Sequence, residues 1–455
     1  MLANIFDAFV AESPISVMMR GMMERVFRPQ RLDEIFETHA KLQYSRELLF
    51  SSLVNFLSLV VCRIHPSVNA TYKANAEALN VTRSAFYQKL NGVESEVGEG
   101  LLRETASELE QLIQLMGGEH PPLLAGYQPR ILDGNALAAT EHRLAVLQPI
   151  ASAPLPGKSL VVLDPELRLA VDMFACEDGH AQERRLFKLV LATVKAKQMW
   201  IADRNMCTLE FLTGIEQRQA AFVIREHQNL PWEPLSELEF VGVVEGGELF
   251  EQQVLIHYAD YPLKLRRIVL RLFKPTRHGD SEIVVLTNLP PTVASAALVM
   301  QLYRQRWRVE GLFLTVTQNF EGEINTLAYP KAALFSFTLA LASYNILATL
   351  KAALASVHGV GKIEAALSDF YVVDEIRGTY RGMMIAIAPP HWRCFTDMPL
   401  ADLAALLKDL AVGVNLKALL KQPRGQKKKK PPLVADPKRP HVSTAKLLSQ
   451  KKIKT

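Results

Sequence analysis

The chain has 455 residues, of which 49% are hydrophobic and 22% are charged. This length allows about two to four domains, and the apolar content excludes an intrinsically disordered protein. The closest two of the four cysteines, Cys176 and Cys207, are 207 − 176 = 31 positions apart, which excludes a zinc-binding spacing and a dense disulfide framework. The N-terminus has no leading basic cluster, so it does not resemble a secretory signal, and we expect a cytoplasmic protein.

The net charge of +5 is distributed unevenly. Residues 415–455 contain 13 Lys and Arg against the single acid Asp436, giving +12, so residues 1–414 carry 5 − 12 = −7. We predict that 415–455 is a flexible basic tail, either a solubilising terminus or a contact to the phosphate backbone of DNA. Its candidate DNA-binding residues are the consecutive lysines Lys427, Lys428, Lys429 and Lys430.

Residues 1–127 are predicted to form a helical N-terminal DNA-binding region, because the segment has helical periodicity and few strand signals. Within it, Lys73–Gly92 has the form of a helix, a short turn and a second helix. Arg83 lies near the start of that second helix, where a recognition helix contacts DNA. The alternative is an ordinary helical hairpin.

Residues 128–224 are predicted to form the first part of a catalytic core. The apolar run RILD ends at Asp133, and QMWIAD ends at Asp203, so each predicts a buried strand that delivers a carboxylate at its end. Two strands (159–164 and 167–174) and a helix (180–195) are predicted between these two acids. A helix (207–217) and a strand (221–224) should follow.

Residues 225–289 are predicted to be a β-rich insertion subdomain, because four strand-like runs there are separated by turn signals. Cationic residues on its third run either contact DNA or guard an edge strand. They are Lys264, Arg266, Arg267 and Arg271.

Residues 290–350 are predicted to be core helices, and one helix over Val299–Phe320 is central. On a helix, Tyr303, Arg306, Glu310 and Thr317 fall within an arc of about 60°, while a separate apolar stripe would pack on the core. The alternative is a simple exposed face with a Glu and several Arg. Thr292 is the predicted N-cap of this helix.

Residues 332–350 form the most apolar run in the sequence. Its five Ser, Thr and Asn residues favour a buried helix over a membrane span. Residues 351–414 are predicted to be a C-terminal helical region. No membrane association is expected.

The order of strands and helices, with an Asp after the first and fourth strands, predicts an α/β fold with a ribonuclease-H-like mixed sheet. A third carboxylate, Glu310, would come from a later helix packed on this sheet. Three converging acids can hold two divalent ions and stabilise an in-line displacement at phosphorus.

These segments resemble the DDE transposases of bacterial insertion sequences, in the group with a Tyr-Arg-Glu-Lys signature. The resemblance runs from LDGN through ADRN and YRQRWRVE to PRGQKKKK. It implies that Asp133, Asp203 and Glu310 are catalytic and bind two Mg²⁺ ions, with Mn²⁺ as the alternative. It also implies that Tyr303 and Arg306 position phosphates of the transposon end.

The signature Lys is replaced by Thr317, which cannot neutralise charge. Arg306 and the neighbouring Arg304 would then carry more of the contact to the transposon end.

We therefore expect a transposase that binds the terminal inverted repeats of its element and acts on double-stranded DNA by metal-dependent cleavage and strand transfer. A homodimer in the DNA complex and association with the bacterial nucleoid are expected. One alternative is a metal-dependent nuclease without strand transfer. The other is a DNA-binding relic of a transposase that no longer catalyses.

Overall fold

A computed structural model describes residues 2–43, 48–79, 81–276, 279–422 and 441–453. The N-terminal part is helical, as predicted. Its helices are α1 (Asp7–Glu12), α2 (Pro14–Val26), α3 (Pro29–His39), α4 (Phe50–Val61), α5 (Val68–Ala74), α6 (Ala76–Leu79), α7 (Arg83–Gly92) and α8 (Ser95–Met116). They share one buried apolar core with a face of the central sheet and with a later long helix.

The central sheet begins with five strands that confirm the ribonuclease-H-like prediction. They are β1 (Gln128–Ala136), β3 (Lys158–Asp164), β4 (Leu169–Cys176), β5 (Gln198–Ala202) and β6 (Ala221–Arg225), in the spatial order β4-β3-β1-β5-β6. β1 pairs parallel with β5 and antiparallel with β3. The helices on this part of the sheet are α9 (Phe187–Thr193) and α10 (Leu209–Glu216), and a 3₁₀ turn over Glu183–Leu186 precedes α9.

The strands of the predicted insertion extend this same sheet. They are β7 (Glu233–Pro234), β8 (Glu239–Val244), β9 (Gly247–Tyr258), β10 (Tyr261–Leu272) and β11 (Glu282–Thr287). β11 pairs antiparallel with β6, so the hydrogen bonding is continuous from the predicted core into these strands. β10 lies between β11 and β9, and the expectation of a charge-guarded edge at β10 is therefore wrong.

The helix predicted over Val299–Phe320 is two helices, α11 (Ala296–Arg304) and α12 (Trp307–Gln318). The N–H groups of Gln305 and Arg306 bond to the carbonyls three residues back, which tightens the backbone between the two helices without a glycine or proline. The N-cap of α11 is Ser295, whose hydroxyl accepts from the N–H of Leu298, so the prediction of Thr292 as the N-cap is wrong.

The apolar run 332–350 lies in α13 (Pro330–His358), which packs against α8 and α4. Among the described residues, α13 alone is long and apolar enough to cross a membrane, and 94% of its most apolar window is buried inside the protein. The side-chain amide of Asn345 donates to and accepts from the backbone of Ala170 on β4, at 2.8 Å each. Asn345 therefore links α13 to β4 through two hydrogen bonds, which satisfy its buried amide group.

The remaining helices are α14 (Val360–Ala366), α15 (Asp369–Ala386), α16 (Pro389–Asp397), α17 (Leu400–Val412) and α18 (Thr444–Ile453). Part of the basic tail is ordered against the core, contrary to the expectation of a wholly flexible segment. A short strand, β12 (Val442–Ser443), pairs parallel with β2 (Pro154–Leu155), and Lys446 lies 3.3 Å from Asp178.

Candidate active site

Asp133 and Asp203 are placed side by side by the parallel pairing of β1 and β5. Leu132 is the register partner of Ala202, so the next residue of each chain segment lies at the same edge of the sheet. Asp203 follows the end of β5, as predicted. Asp133 does not end its strand, because β1 continues to Ala136 through its pairing with β3.

Arg306 joins the candidate acids from the junction between α11 and α12. One of its terminal nitrogens donates to Asp133 at 2.7 Å, and the other donates to Glu310 at 3.2 Å. Its side chain is 11% exposed, and its guanidinium lies 5.0 Å from the centre of the Trp307 ring. The Nε of Arg306 is buried and has no hydrogen-bond partner among the described residues. The guanidinium is therefore held by the two acids, while its buried Nε–H has no partner among the described residues.

Burial raises the pKa of Asp133 to about 6. The charge of Arg306 and the N–H of Gly134, which donates to Asp133 at 2.9 Å, act in the opposite direction. The nearby carboxylates of Asp203 and Glu183 raise the pKa further. Asp133 therefore gains or loses its proton at about pH 6.

Tyr303 is buried beside Asp203 and Arg306. Burial, together with the charge of Asp203, raises the pKa of Tyr303 to about 12, although a hydrogen bond with Arg306 opposes this shift. Its hydroxyl is consequently neutral and can donate a hydrogen bond at physiological pH.

Glu183 is a fourth acid at the site that the sequence did not single out. A β-carbon built on Gly134 would lie 2.3 Å from a carboxylate oxygen of Glu183, so the absence of a side chain at Gly134 permits this close approach. Glu183 lies 50 positions from Asp133, in the 3₁₀ turn before α9. No local sequence pattern connects the two residues.

Residues 158–346 match a protein-family model described as a transposase DDE domain. The chain contains a transposase DDE domain. The matched segment includes Asp203, Arg306 and Glu310, whereas Asp133 precedes it. No curated protein matches the sequence. The family match supports a transposase in general terms, with DNA as the partner that the family implies, and does not distinguish the group with the Tyr-Arg-Glu-Lys signature.

The carboxylates of the transposase domain have the donor chemistry that Mg²⁺ prefers, since all are hard oxygen ligands. Within the described ranges, however, no three His, Cys, Asp or Glu residues are close enough together to hold a metal ion. Arg306 lies between Asp133 and Glu310, and the Glu310 side chain is 46% exposed. The donor atoms have the right chemistry for a divalent ion, but Glu310 would have to leave Arg306 and move closer to Asp133 and Asp203 to join them as a ligand.

Two other residues predicted to contact DNA make contacts within the protein. Arg304 donates to the carbonyl of Glu245 at 2.6 Å, in the turn between β8 and β9, and remains 48% exposed. The hydroxyl of Thr317 donates to the carbonyl of Phe313 at 2.8 Å, one turn back in α12. Arg304 keeps free surface for a further partner, whereas the Thr317 hydroxyl already has one.

Arg83 lies at the exposed start of α7, as predicted, where the Thr82 hydroxyl accepts from the N–H of Ala85 and caps the helix. Arg83 borders a surface pocket together with Tyr87 and Arg143. Arg83 gives this surface a positive charge suited to phosphate, whereas Arg143 lies in a loop and is paired with Glu141 at 2.6 Å. The lysines Lys427, Lys428, Lys429 and Lys430 lie outside the described residues.

Three of the four cationic residues on β10 have partners inside the protein. Arg266 is 4% exposed and donates to Glu251, so it is not a DNA contact. Arg267 pairs with Glu226, and Arg271 pairs with Glu282. Lys264 is exposed and remains a candidate.

Proposed function

We propose that this transposase binds the terminal inverted repeats of its own element and cuts and joins DNA at Asp133, Asp203 and Glu310. The observation that carries the proposal is that acids from three separate elements lie near one another. Asp133 and Asp203 follow paired positions of two parallel strands. Glu310 shares the guanidinium of Arg306 with Asp133. Such convergence is what an in-line displacement at phosphorus requires.

Asp133, Asp203 and Glu310, with Glu183 beside them, would hold two divalent ions, Mg²⁺ or Mn²⁺. When bound, these ions would stabilise the attacking and leaving oxygens of the reacting phosphodiester. Asp133 must be ionised to act as a metal ligand. Because its pKa is raised to about 6, metal binding should weaken below about pH 6. Arg306, once released from Glu310, would hold a phosphate oxygen with Tyr303 donating beside it.

The remaining DNA contacts in this proposal come from several regions: Arg83 with α7, Arg304, Thr317 and the four lysines Lys427–Lys430. A homodimer would supply one active site for each transposon end, and the protein would work in the cytoplasm at the nucleoid. We retain the proposed boundaries 1–127, 128–224, 225–289, 290–350, 351–414 and 415–455 as functional segments.

Alanine substitution of each acid tests the chemistry. Asp133→Ala, Asp203→Ala and Glu310→Ala should each abolish Mg²⁺-dependent cleavage of a duplex that carries the transposon end, while binding of that duplex survives, because affinity comes mainly from backbone contacts elsewhere. Asp260→Ala, in the exposed turn between β9 and β10, is the matched control and should cleave normally. Near-normal cleavage by any one of the three variants would remove that residue from the site.

Joining of the cut end to a second duplex separates a transposase from a metal-dependent nuclease, which would cut without joining. The hydrogen bonds of Arg306 to Asp133 and Glu310 favour the non-catalytic alternative, because they use carboxylates that would otherwise bind metal. A protein that binds the ends but never cleaves them in Mg²⁺ or Mn²⁺ would be such a relic.

The lysine run can be tested without disturbing β12. Replacing Lys427–Lys430 by glutamine removes four charges and should weaken binding to unrelated duplex and flatten the dependence of log affinity on log salt. An unchanged slope would mean that these lysines do not contact DNA.

A further inference from the structure

A second cluster of charged groups lies beside a cavity of about 270 Å³ between α12, α13 and the turn from β3 to β4. Its lining includes Arg308 from α12, Arg168 from the turn and Lys351 from α13. α12 therefore carries Glu310 at the candidate active site and, two residues earlier, an arginine that lines this cavity.

The positive charges of the cavity are only partly neutralised by the protein. Arg168 forms an ion pair with Glu364, and Lys351 lies 2.6 Å from Asp369. Arg308 donates to the carbonyl of Pro165 at 2.9 Å, and no carboxylate of the described residues lies within ion-pair distance of it. Arg168 and Lys351 thus each have an acid partner, whereas Arg308 has no ion-pair partner among the described residues and only the longer-range charge of Glu166 opposes its own.

The backbone and side chain of Arg168 show that this arrangement is costly. Arg168 has a φ of 60°, a left-handed conformation that is unfavourable for a residue with a β-carbon. Its Nε is buried and has no hydrogen-bond partner among the described residues. A strained backbone that places an incompletely bonded guanidinium beside a cavity is typical of a ligand site.

The titration of neighbouring groups agrees with an excess of positive charge. Burial lowers the pKa of His120 to about 4, and Arg168, Arg308 and Lys351 lower it in the same direction, although Glu364 lies 3.5 Å from its ring. Burial and the charge of Arg168 lower the pKa of Arg308 to about 10, although the charge of Glu166 acts in the opposite direction. Each shift would be relieved by an anion in the cavity.

The rest of the wall is apolar, which restricts the ligand further. Leu312, Leu347 and Ile363 are buried side chains that line the cavity. An inorganic ion would leave this wall without a partner, whereas a molecule with both a charged group and a hydrocarbon part would cover it.

We propose that this cavity binds a small organic phosphate, with its phosphate group held by Arg168 and Arg308 and its apolar part against Leu347 and Ile363. Arginine can donate two parallel hydrogen bonds to phosphate oxygens, and a phosphate held by both guanidinium groups would supply negative charge beside Arg308, which has no carboxylate partner among the described residues. The site is separate from the DNA-cleaving acids, and its existence does not depend on the proposed cleavage.

Titration calorimetry of the full chain with hexyl phosphate tests the proposal. Hexyl phosphate should bind, inorganic phosphate should bind more weakly because it lacks the apolar part, and hexanol should not bind. Absence of hexyl phosphate binding, or equal binding of hexanol, would overturn the proposal. Displacement of hexyl phosphate by a short DNA duplex would also overturn it, because the arginines would then serve a backbone phosphate.

Two variants locate the site. Arg308→Gln should weaken hexyl phosphate binding by about tenfold or more, since one charge-assisted contact is lost, whereas the control Arg393→Gln, at an exposed arginine of α16, should not. Gly311→Leu should also weaken binding, because Gly311 lines the cavity and a β-carbon there meets nothing within 4 Å, so the larger side chain has room to enter it. Unchanged affinity in folded Arg308→Gln or in Gly311→Leu would refute the assignment.

Discussion

Two buried arginines, Arg266 on β10 and Arg306 at the junction of α11 and α12, differ in how completely the protein satisfies them. Arg266 donates to both oxygens of Glu251, at 2.6 and 3.0 Å, and to the carbonyls of Leu289 and Ala294. Arg306 has two carboxylate partners, one of them largely exposed, and a buried Nε without a partner among the described residues.

Under the proposed function, the difference separates a structural arginine from one that acts in the active site. Every bond of Arg266 is to a group held in the sheet or in the loop after β11, so no partner is released without loss of packing. The bonds of Arg306 are to acids that the proposed chemistry needs for other purposes. Incomplete satisfaction in a buried charged group therefore points to a site at which partners change.

The largest expected effect is on stability at the satisfied arginine. Arg266→Met should lower the free energy of unfolding by about 3–5 kcal/mol, because it leaves the Glu251 carboxylate and two carbonyls without their donor. Arg271→Met is the control on the same strand, where an exposed pair with Glu282 is worth about 0–1 kcal/mol. Urea denaturation of both variants measures the difference, and equal losses would contradict the comparison.

The next effect is a pH dependence at Asp133. The folded-state pKa of about 6 exceeds the ordinary value of 3.8, so the folded protein binds more protons than the unfolded chain between these pH values. Stability from this group therefore falls as pH rises through that window, by at most roughly 3 kcal/mol. Asp133→Asn removes the titration.

The measurement is urea denaturation of wild type and Asp133→Asn at a series of pH values from about 4 to 7. The stability of the variant relative to wild type should increase as pH rises and level off above about pH 6. A difference that is constant with pH would show that the pKa of Asp133 is not raised.

A smaller change in stability is expected at Arg306. Arg306→Gln should cost about 1 kcal/mol, less than Arg266→Met, because Glu310 is exposed and Asp133 can take a proton. The same substitution should raise the pKa of Asp133 further, since the charge of Arg306 holds it down. Carboxyl-resolved NMR titration measures this pKa, and a lowered value would contradict the assignment of the contact.

The smallest effect concerns Thr317, whose hydroxyl is already bonded within α12. Thr317→Lys should change stability by less than about 0.5 kcal/mol, because it exchanges one half-buried helical residue for a better helix former. Under the proposed function it should strengthen binding of the transposon end or raise cleavage modestly, measured across a salt series. Loss of cleavage would mean that the region is adapted to threonine.

The central sheet could be predicted because each strand is marked by its own local sequence. The runs that end at Asp133 and Asp203 are apolar and bounded by turn residues, and parallel pairing then places the two acids together. The sequence also predicts the burial of α13, because the helix contains too many polar residues to face lipid. These features depend on short segments of chain.

What the sequence did not reveal depends on contacts between distant residues. Arg306 and Asp133 are 173 positions apart, and neither neighbourhood indicates that an arginine would bond to the acid. No glycine or proline between α11 and α12 indicates in the sequence that the helix is interrupted there. The continuity of β6 with β11 likewise follows from pairing across the insertion, which periodicity within each strand does not specify.

The hydrogen bonds of Arg306 to Asp133 and Glu310 have a consequence for how the chain folds. Carboxylates gathered at one edge of a sheet repel each other, and many metal-binding proteins cannot complete their folding until an ion is captured. Here a guanidinium from the chain itself supplies the opposing charge at Asp133 and Glu310. We therefore expect a newly synthesised copy to fold without a divalent ion, and a chelator to leave the folded state intact.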